Sequence, residues 1–151
     1  AHLGPQVKLN RRVQIGDRSE LTGHVVLGED VHIGVGVQLS TYPGQTLVLC
    51  DAAQVLSRNI LKGNLRIGAG SRIESGVIMT GSDDYPLRMG ERVTVKGTSY
   101  LYGCRIDDGL FIEHSVIKCK HVRAIKTDDG SIQPVRYVLP QPEGLDSISD
   151  L

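Results

Sequence analysis

A period of six constrains this chain more than any other feature. From Ile15 the aliphatic residues Ile15, Leu21, Leu27, Ile33 and Leu39 recur at a constant interval, and each is followed by a small residue: Gly16, Thr22, Gly28, Gly34, Ser40. Two residues before each stand Val13, Ser19, Val25, Val31 and Val37, alternating with polar residues as a short strand would. The interval returns at Leu61, Ile67, Ile73 and Met79, returns again at Met89, Val95 and Leu101, and then slips by one to Ile106 and Ile112. Helical spacing does not produce this pattern. An inward aliphatic residue, a small residue at a corner and β-branched neighbours are the signature of a hexapeptide β-helix, in which each hexad makes one strand and one turn and three hexads complete a triangular coil.

The predicted fold is therefore all-β: a left-handed parallel β-helix of hexapeptide repeats, with a short C-terminal tail or helix. Gly at 18 positions and Phe at one supply many corners and little bulk for a sandwich of antiparallel strands, the competing architecture. Aliphatic side chains stacked along the prism axis provide the hydrophobic term, roughly 1.5–3 kcal/mol for each fully buried Leu, Ile or Val. Residues 1–151 read as a single domain. The pattern predicts an insertion at 41–64, where "DAAQVLSRN" suits a short helix or an irregular excursion, an exposed loop at 81–86 ("GSDDYP"), and an irregular tail at 122–151 with at most a short helix after Pro142.

Charge narrows the function classes. Seventeen Lys and Arg balance 17 Asp and Glu, so no global field steers the protein toward nucleic acid or anionic lipid. No apolar run approaches the roughly 18 residues of a membrane span, and "AHLGPQ" lacks the charged and apolar regions of a secretory signal. Cys50, Cys104 and Cys119 are odd in number and lack metal-type spacing, which predicts free, mostly buried thiols in a reducing compartment.

The stretches "GSRIESGVIMT" and "LRMGERVTVKGTSYLYGCRIDDGLFIEHSVI" resemble the γ-class carbonic anhydrase family. Members carry I-Q-D-x-x-x-x-H, then I-G-x-x-V-T-V-G-H-x-x-x-x-H-G-C-x-I-G-D. Here the first motif aligns with Ile73 to Thr80 and the second with Met89 to Asp108; Lys62-Gly63-Asn64 looks like a worn R-G-D, and "SIQPVRYVL" like a worn exit from the β-helix. The resemblance implies a trimer in which three histidines from two neighbouring subunits hold zinc or iron and activate its water. That chemistry needs neutral imidazoles in near-tetrahedral array with one open position. The matching positions are Thr80, Gly97 and Tyr102, none a usual ligand for that metal, and the family's supporting Gln and Asp are Glu74 and Ser75. The expectation is a degenerate site with no catalytic residue, no metal and no cofactor.

The remaining His residues are His2, His24, His32, His114 and His121; residues about 18 apart stack in such a helix, and no pair among them has that spacing. "IDDG", "SDDY" and "TDDG" read as solvated turn carboxylates. Lys118, Lys120 and Arg123, with His121 between, form a small basic strip suited to an acidic partner or a phospholipid head group.

The resemblance implies a non-catalytic assembly subunit of a γ-carbonic-anhydrase-like trimer, homomeric or mixed with other such subunits. Degenerate family members belong to the carbonic-anhydrase module of mitochondrial respiratory complex I, peripheral on the matrix side of the inner membrane, with no membrane span and no nucleic acid among their partners. Two alternatives stand beside it. One is a β-helix subunit of the dynactin pointed-end type, in the cytosol. The other is a hexapeptide acyltransferase using coenzyme A, for which His114 is the candidate general base.

Overall fold

Hexad by hexad, the chain winds round three flat faces, and from His2 to Val122 each strand after the first coil lies parallel to the one a full coil before it. The computed structural model describes residues 1–123, 125–126, 129, 132–133, 136–137 and 148–151, and among them it is a left-handed parallel β-helix with no α-helix. Face 1 stacks His2–Leu3, Glu20–Thr22, Gln38–Ser40, Ile60–Gly63, Ile78–Gly81, Tyr100–Tyr102 and Val116–Lys118. Face 2 stacks Lys8–Leu9, Val25–Leu27, Leu47–Leu49, Leu65–Ile67, Leu87–Met89, Arg105–Ile106 and Lys120–Val122. Face 3 runs from Gln14–Ile15 through His32–Ile33, Gln54–Val55, Arg72–Ile73, Thr94–Val95 and Phe111–Ile112 to Arg136–Tyr137. No helix among the described residues is long and apolar enough to cross a membrane.

The six-residue pattern places two side chains of each hexad inside. The aliphatic residues Leu21, Leu39, Leu61, Met79, Leu101 and Ile117 form one buried column, paired rung to rung, and equivalent columns line the other faces. The residues two positions earlier are also buried, including polar ones: Ser19, Asn59, Ser71, Ser99 and Ser115. These polar side chains satisfy corner backbone that the ladders leave unpaired. The Val37 amide donates to Ser19 Oγ (3.1 Å), the Val77 amide to Asn59 Oδ1 (2.7 Å), and the Val93 amide to Ser71 Oγ (3.1 Å).

The corners and the predicted insertion take a different form. The small residue after each aliphatic does not supply the left-handed turn; that angle falls two residues later, on Arg12, Asp30, Ala52, Gly70 and Arg92 at the corner between faces 2 and 3. The earlier glycine serves close approach instead: a Cβ on Gly68 would stand 2.2 Å from the Gly90 carbonyl oxygen in the next coil. The insertion at 41–64 is likewise not an excursion or a helix. Leu47–Leu49, Gln54–Val55 and Ile60–Gly63 form a regular coil in register with both neighbours. What breaks the count is a wider corner between faces 1 and 2 at 41–46, after which Leu49, Val55 and Leu61 keep the six-residue interval.

The loop at 82–86 widens the same corner two coils on, closed by the Ser82 amide donating to the Tyr85 carbonyl (3.0 Å) and the Tyr85 amide to Ser82 Oγ (2.9 Å). Gln45 Nε2 donates to Asp83 Oδ1 (3.1 Å), linking the two wide corners across the normal one between them. In the predicted tail, Ile125–Lys126 pairs with Ile132–Gln133, and Ile148–Asp150 returns antiparallel to Lys120–Val122. The short helix expected after Pro142 and most of "SIQPVRYVL" lie outside the described residues.

Candidate functional site

On face 1 the middle residue of each strand points inward, so the first and third point out and form two columns. The third-position column places Thr80 beside Tyr102 in register on adjacent rungs, with Lys62 next to Thr80 and Lys118 next to Tyr102. Two ammonium groups thus bracket the two positions that the resemblance aligned with metal ligands, the wrong charge for holding a divalent cation. Lys62 Nζ also lies 5.0 Å from the centre of the exposed Tyr42 ring. Gly97 stands at the opposite edge of face 1, in the corner before Tyr100–Tyr102. A Cβ there would be 2.5 Å from the Ser75 carbonyl oxygen, so the coil spacing leaves no room for a larger residue without backbone movement.

Beside this column runs the first-position one: Glu20, Gln38, Ile60, Ile78, Tyr100 and Val116. Its chemistry changes midway from polar to apolar, and Ile60, Ile78 and Val116 are each exposed by about two-fifths (38%, 40% and 39%). Four successive rungs therefore present a continuous apolar ladder to solvent next to Thr80 and Tyr102. The sequence pattern concealed it, because the rungs are unequally spaced along the chain.

Glu74 and Lys96, at positions where the resembled family has Gln and Gly, are partners. Lys96 Nζ donates to Glu74 Oε2 (3.0 Å), Arg72 Nε lies 3.5 Å from the same oxygen, and Lys96 sits 5.5 Å from the Phe111 ring centre. The Lys96 hydrogen bond, with Arg72 adding to it, holds the Glu74 carboxyl below its ordinary pKa. The three charged side chains form an ion-pair cluster on the outside of the coil.

The histidines stay apart. His24 Nδ1 meets Thr46 Oγ1 (3.0 Å), His114 Nδ1 meets Thr98 Oγ1 (2.7 Å) at an exposed corner, and His121 Nε2 meets Asp107 Oδ1 (2.9 Å). His32 lies on face 3 between Gln14 and Gln54, and His2 pairs with Glu20 at the first rung. Among the described residues no group of three or more His, Cys, Asp or Glu is placed to hold a metal. Carboxylates of the turn motifs cap corner backbone: Asp108 Oδ1 accepts the Glu91 amide (2.7 Å), as Asp51 Oδ1 accepts that of Glu29 (2.8 Å). "TDDG" falls largely outside the described residues.

Cys104 is buried, with its thiol pushed up to about 11 chiefly by that burial, and it donates to the Ile117 carbonyl (3.1 Å). It is a packing residue, not a nucleophile. Cys50 and Cys119 are free and half-buried.

No protein-family profile matches the chain. No curated protein matches it either. Among solved structures it is similar to a histidine-to-asparagine mutant of perosamine N-acetyltransferase from Caulobacter crescentus, in complex with CoA and GDP-perosamine: 12% identity, TM-score 0.38, covering 89% of this chain and 58% of that one. The chain is a hexapeptide-repeat β-helix. A backbone likeness at that level says nothing about chemistry, so function has to be argued from the faces themselves.

Proposed function

We propose that this chain is a catalytically silent subunit of a γ-carbonic-anhydrase-like trimer, built for assembly rather than turnover. The observation that carries the reading is on face 1. Thr80 and Tyr102, side by side between Lys62 and Lys118, adjoin the exposed Ile60, Ile78, Tyr100 and Val116 ladder. An exposed apolar run of this kind marks a protein contact, and obligate interfaces commonly bury more than about 2,000 Å² in total. In this reading the partners are further γ-carbonic-anhydrase-like subunits, and the trimer belongs to a larger membrane complex, the matrix-side module of mitochondrial complex I. The dynactin-type alternative differs in compartment and partner. The acyltransferase alternative rests on His114, whose described partner is the Thr98 hydroxyl.

The test is native mass and metal content of the protein purified from its source without tags. A trimer with no zinc or iron, recovered with a larger membrane complex, supports the proposal. A free homotrimer carrying stoichiometric metal, or a monomer, overturns it, and stoichiometric coenzyme A binding would bring forward the enzyme reading.

A further inference from the structure

Strands on face 2 turn only their middle residue outward, so this face carries a single external column: Lys8, Val26, Val48, Arg66, Arg88, Arg105 and His121 on successive rungs. Arg66, Arg88 and Arg105 thus occupy three consecutive rungs, about 4.8 Å apart. Like charges stacked across a ladder oppose one another. Partial burial and the neighbouring Arg66 both lower the pKa of the Arg88 guanidinium.

Three arginines outside this column are neutralised by carboxylates: Arg12 meets Asp30 and Glu29, Arg72 meets Glu74, and Arg92 meets Glu91. Among the described residues no carboxylate forms an ion pair with Arg66, Arg88 or Arg105. Arg88 is instead held in place by neutral acceptors, Nη2 donating to Asn64 Oδ1 (3.0 Å) and Nη1 to the Leu87 carbonyl (3.1 Å). The basic strip predicted at Lys118 to Arg123 behaves differently. Lys120 pairs with Asp150, His121 with Asp107, and Arg123 bonds Ser149, while Lys118 lies on face 1.

We propose that the Arg66, Arg88 and Arg105 column binds a ligand carrying two or three contiguous phosphoryl groups, either a condensed phosphate or a di- or triphosphate ester. The guanidinium fork matches phosphate oxygens in bidentate fashion. Phosphoryl groups joined through bridging oxygens lie within one rung of each other, so neighbouring arginines can clamp neighbouring groups. The column is a line, whereas an anionic membrane presents a plane. An extended acidic peptide spaces side chains on one face about 6.7 Å apart and falls out of step with the rungs. A shallow groove of about 470 Å³ opens at Arg66, between Val26, Val48 and Met89, and its size suits the organic part of a phosphate ester. Its two lining carboxylates are engaged, Asp51 accepting the Glu29 amide (2.8 Å) and Glu91 pairing with Arg92 (3.0 Å). This site uses face 2 and stands whether or not face 1 joins subunits.

The test is calorimetric titration of the full chain with pyrophosphate, inorganic tripolyphosphate and a nucleoside diphosphate, with sulfate as the single-anion control. Saturable binding of one condensed phosphate per chain is expected, weakened about tenfold by each of Arg66→Gln, Arg88→Gln and Arg105→Gln and unchanged by Arg58→Gln. Thermal melts of each variant separate lost binding from lost folding. A nucleoside diphosphate that binds tighter than pyrophosphate identifies the ester, and equal or weaker binding identifies the free condensed phosphate. Three results overturn the proposal: no saturable binding, binding that sulfate matches, or binding that Arg58→Gln weakens as much as the column variants. So does Arg-dependent capture of phosphatidylserine vesicles, polyglutamate or single-stranded oligonucleotide by a chain that ignores tripolyphosphate.

Discussion

Replacing Asn59 tests the idea that buried polar corners hold the coils together. Its Oδ1 accepts the Val77 amide at 2.7 Å, and its Nδ2 donates to the Leu56 and Ile73 carbonyls at 3.0 and 3.3 Å, all with the side chain fully buried. Asn59→Ala leaves the Val77 amide without an acceptor, at about 1–3 kcal/mol, and removes two donated bonds worth about 1 kcal/mol each. The Ile73 carbonyl keeps the Leu56 amide (2.8 Å), so the loss is partly cushioned and should come to about 2–4 kcal/mol. Asn59→Ser should lose about 1 kcal/mol or less, because Ser19 does the same work in the same corner two coils earlier, accepting the Val37 amide at 3.1 Å. Urea titration followed by far-ultraviolet dichroism measures both, and hydrogen exchange at the Val77 amide reads the mechanism directly. If the Ala and Ser variants lose equal stability, or the Val77 amide keeps its protection in the Ala variant, the argument fails.

Other sites give sharper yes-or-no outcomes. Ile78→Lys changes a side chain already 40% exposed, so monomer stability should move by no more than about 0.5 kcal/mol while the native mass falls; an unchanged mass would remove face 1 as the interface. Gly97→Ala puts a Cβ 2.5 Å from the Ser75 oxygen and should cost about 1–3 kcal/mol in urea; a variant as stable as the parent would mean that the coil spacing yields. Glu74 is depressed below its ordinary value of 4.5 in the folded chain, so its ion pairs contribute fully above that pH and fade as pH falls through the lower folded-state value. Glu74→Gln should therefore flatten the acid limb of melting temperature against pH, and identical limbs would refute the assignment.

The inward columns were legible in the chain because each repeat names its own interior: Leu21, Leu27, Ile33 and Leu39 announce both the strand and its neighbour. The coil from Leu47 to Gly63 is hidden because the count jumps in phase at the 41–46 corner, and a periodicity followed without phase jumps treats a wider corner as lost order. The same jumps hid the outward columns. Arg66, Arg88 and Arg105 lie side by side at intervals of 22 and 17 residues, so only the register brings them together. The motif alignment named Thr80, Gly97 and Tyr102 as positions, but only the register sets Thr80 beside Tyr102, 22 residues on. Glu74 was visible as a departure from the resembled motif, but nothing in the chain announced that its side chain meets Lys96.

The two wide corners also separate two dimensions that most folds vary together. Tyr42–Gln45 and Ser82–Pro86 lengthen the circuit of their coils without altering the rise from rung to rung, since Leu39 still sits directly under Leu61 and Met79 under Leu101. The prism can thus gain girth at one edge while its length and face-to-face order stay constant. That edge is the natural place to graft an epitope or a tag: added residues enlarge an existing overhang, and the ladders that hold the coils together do not register the change.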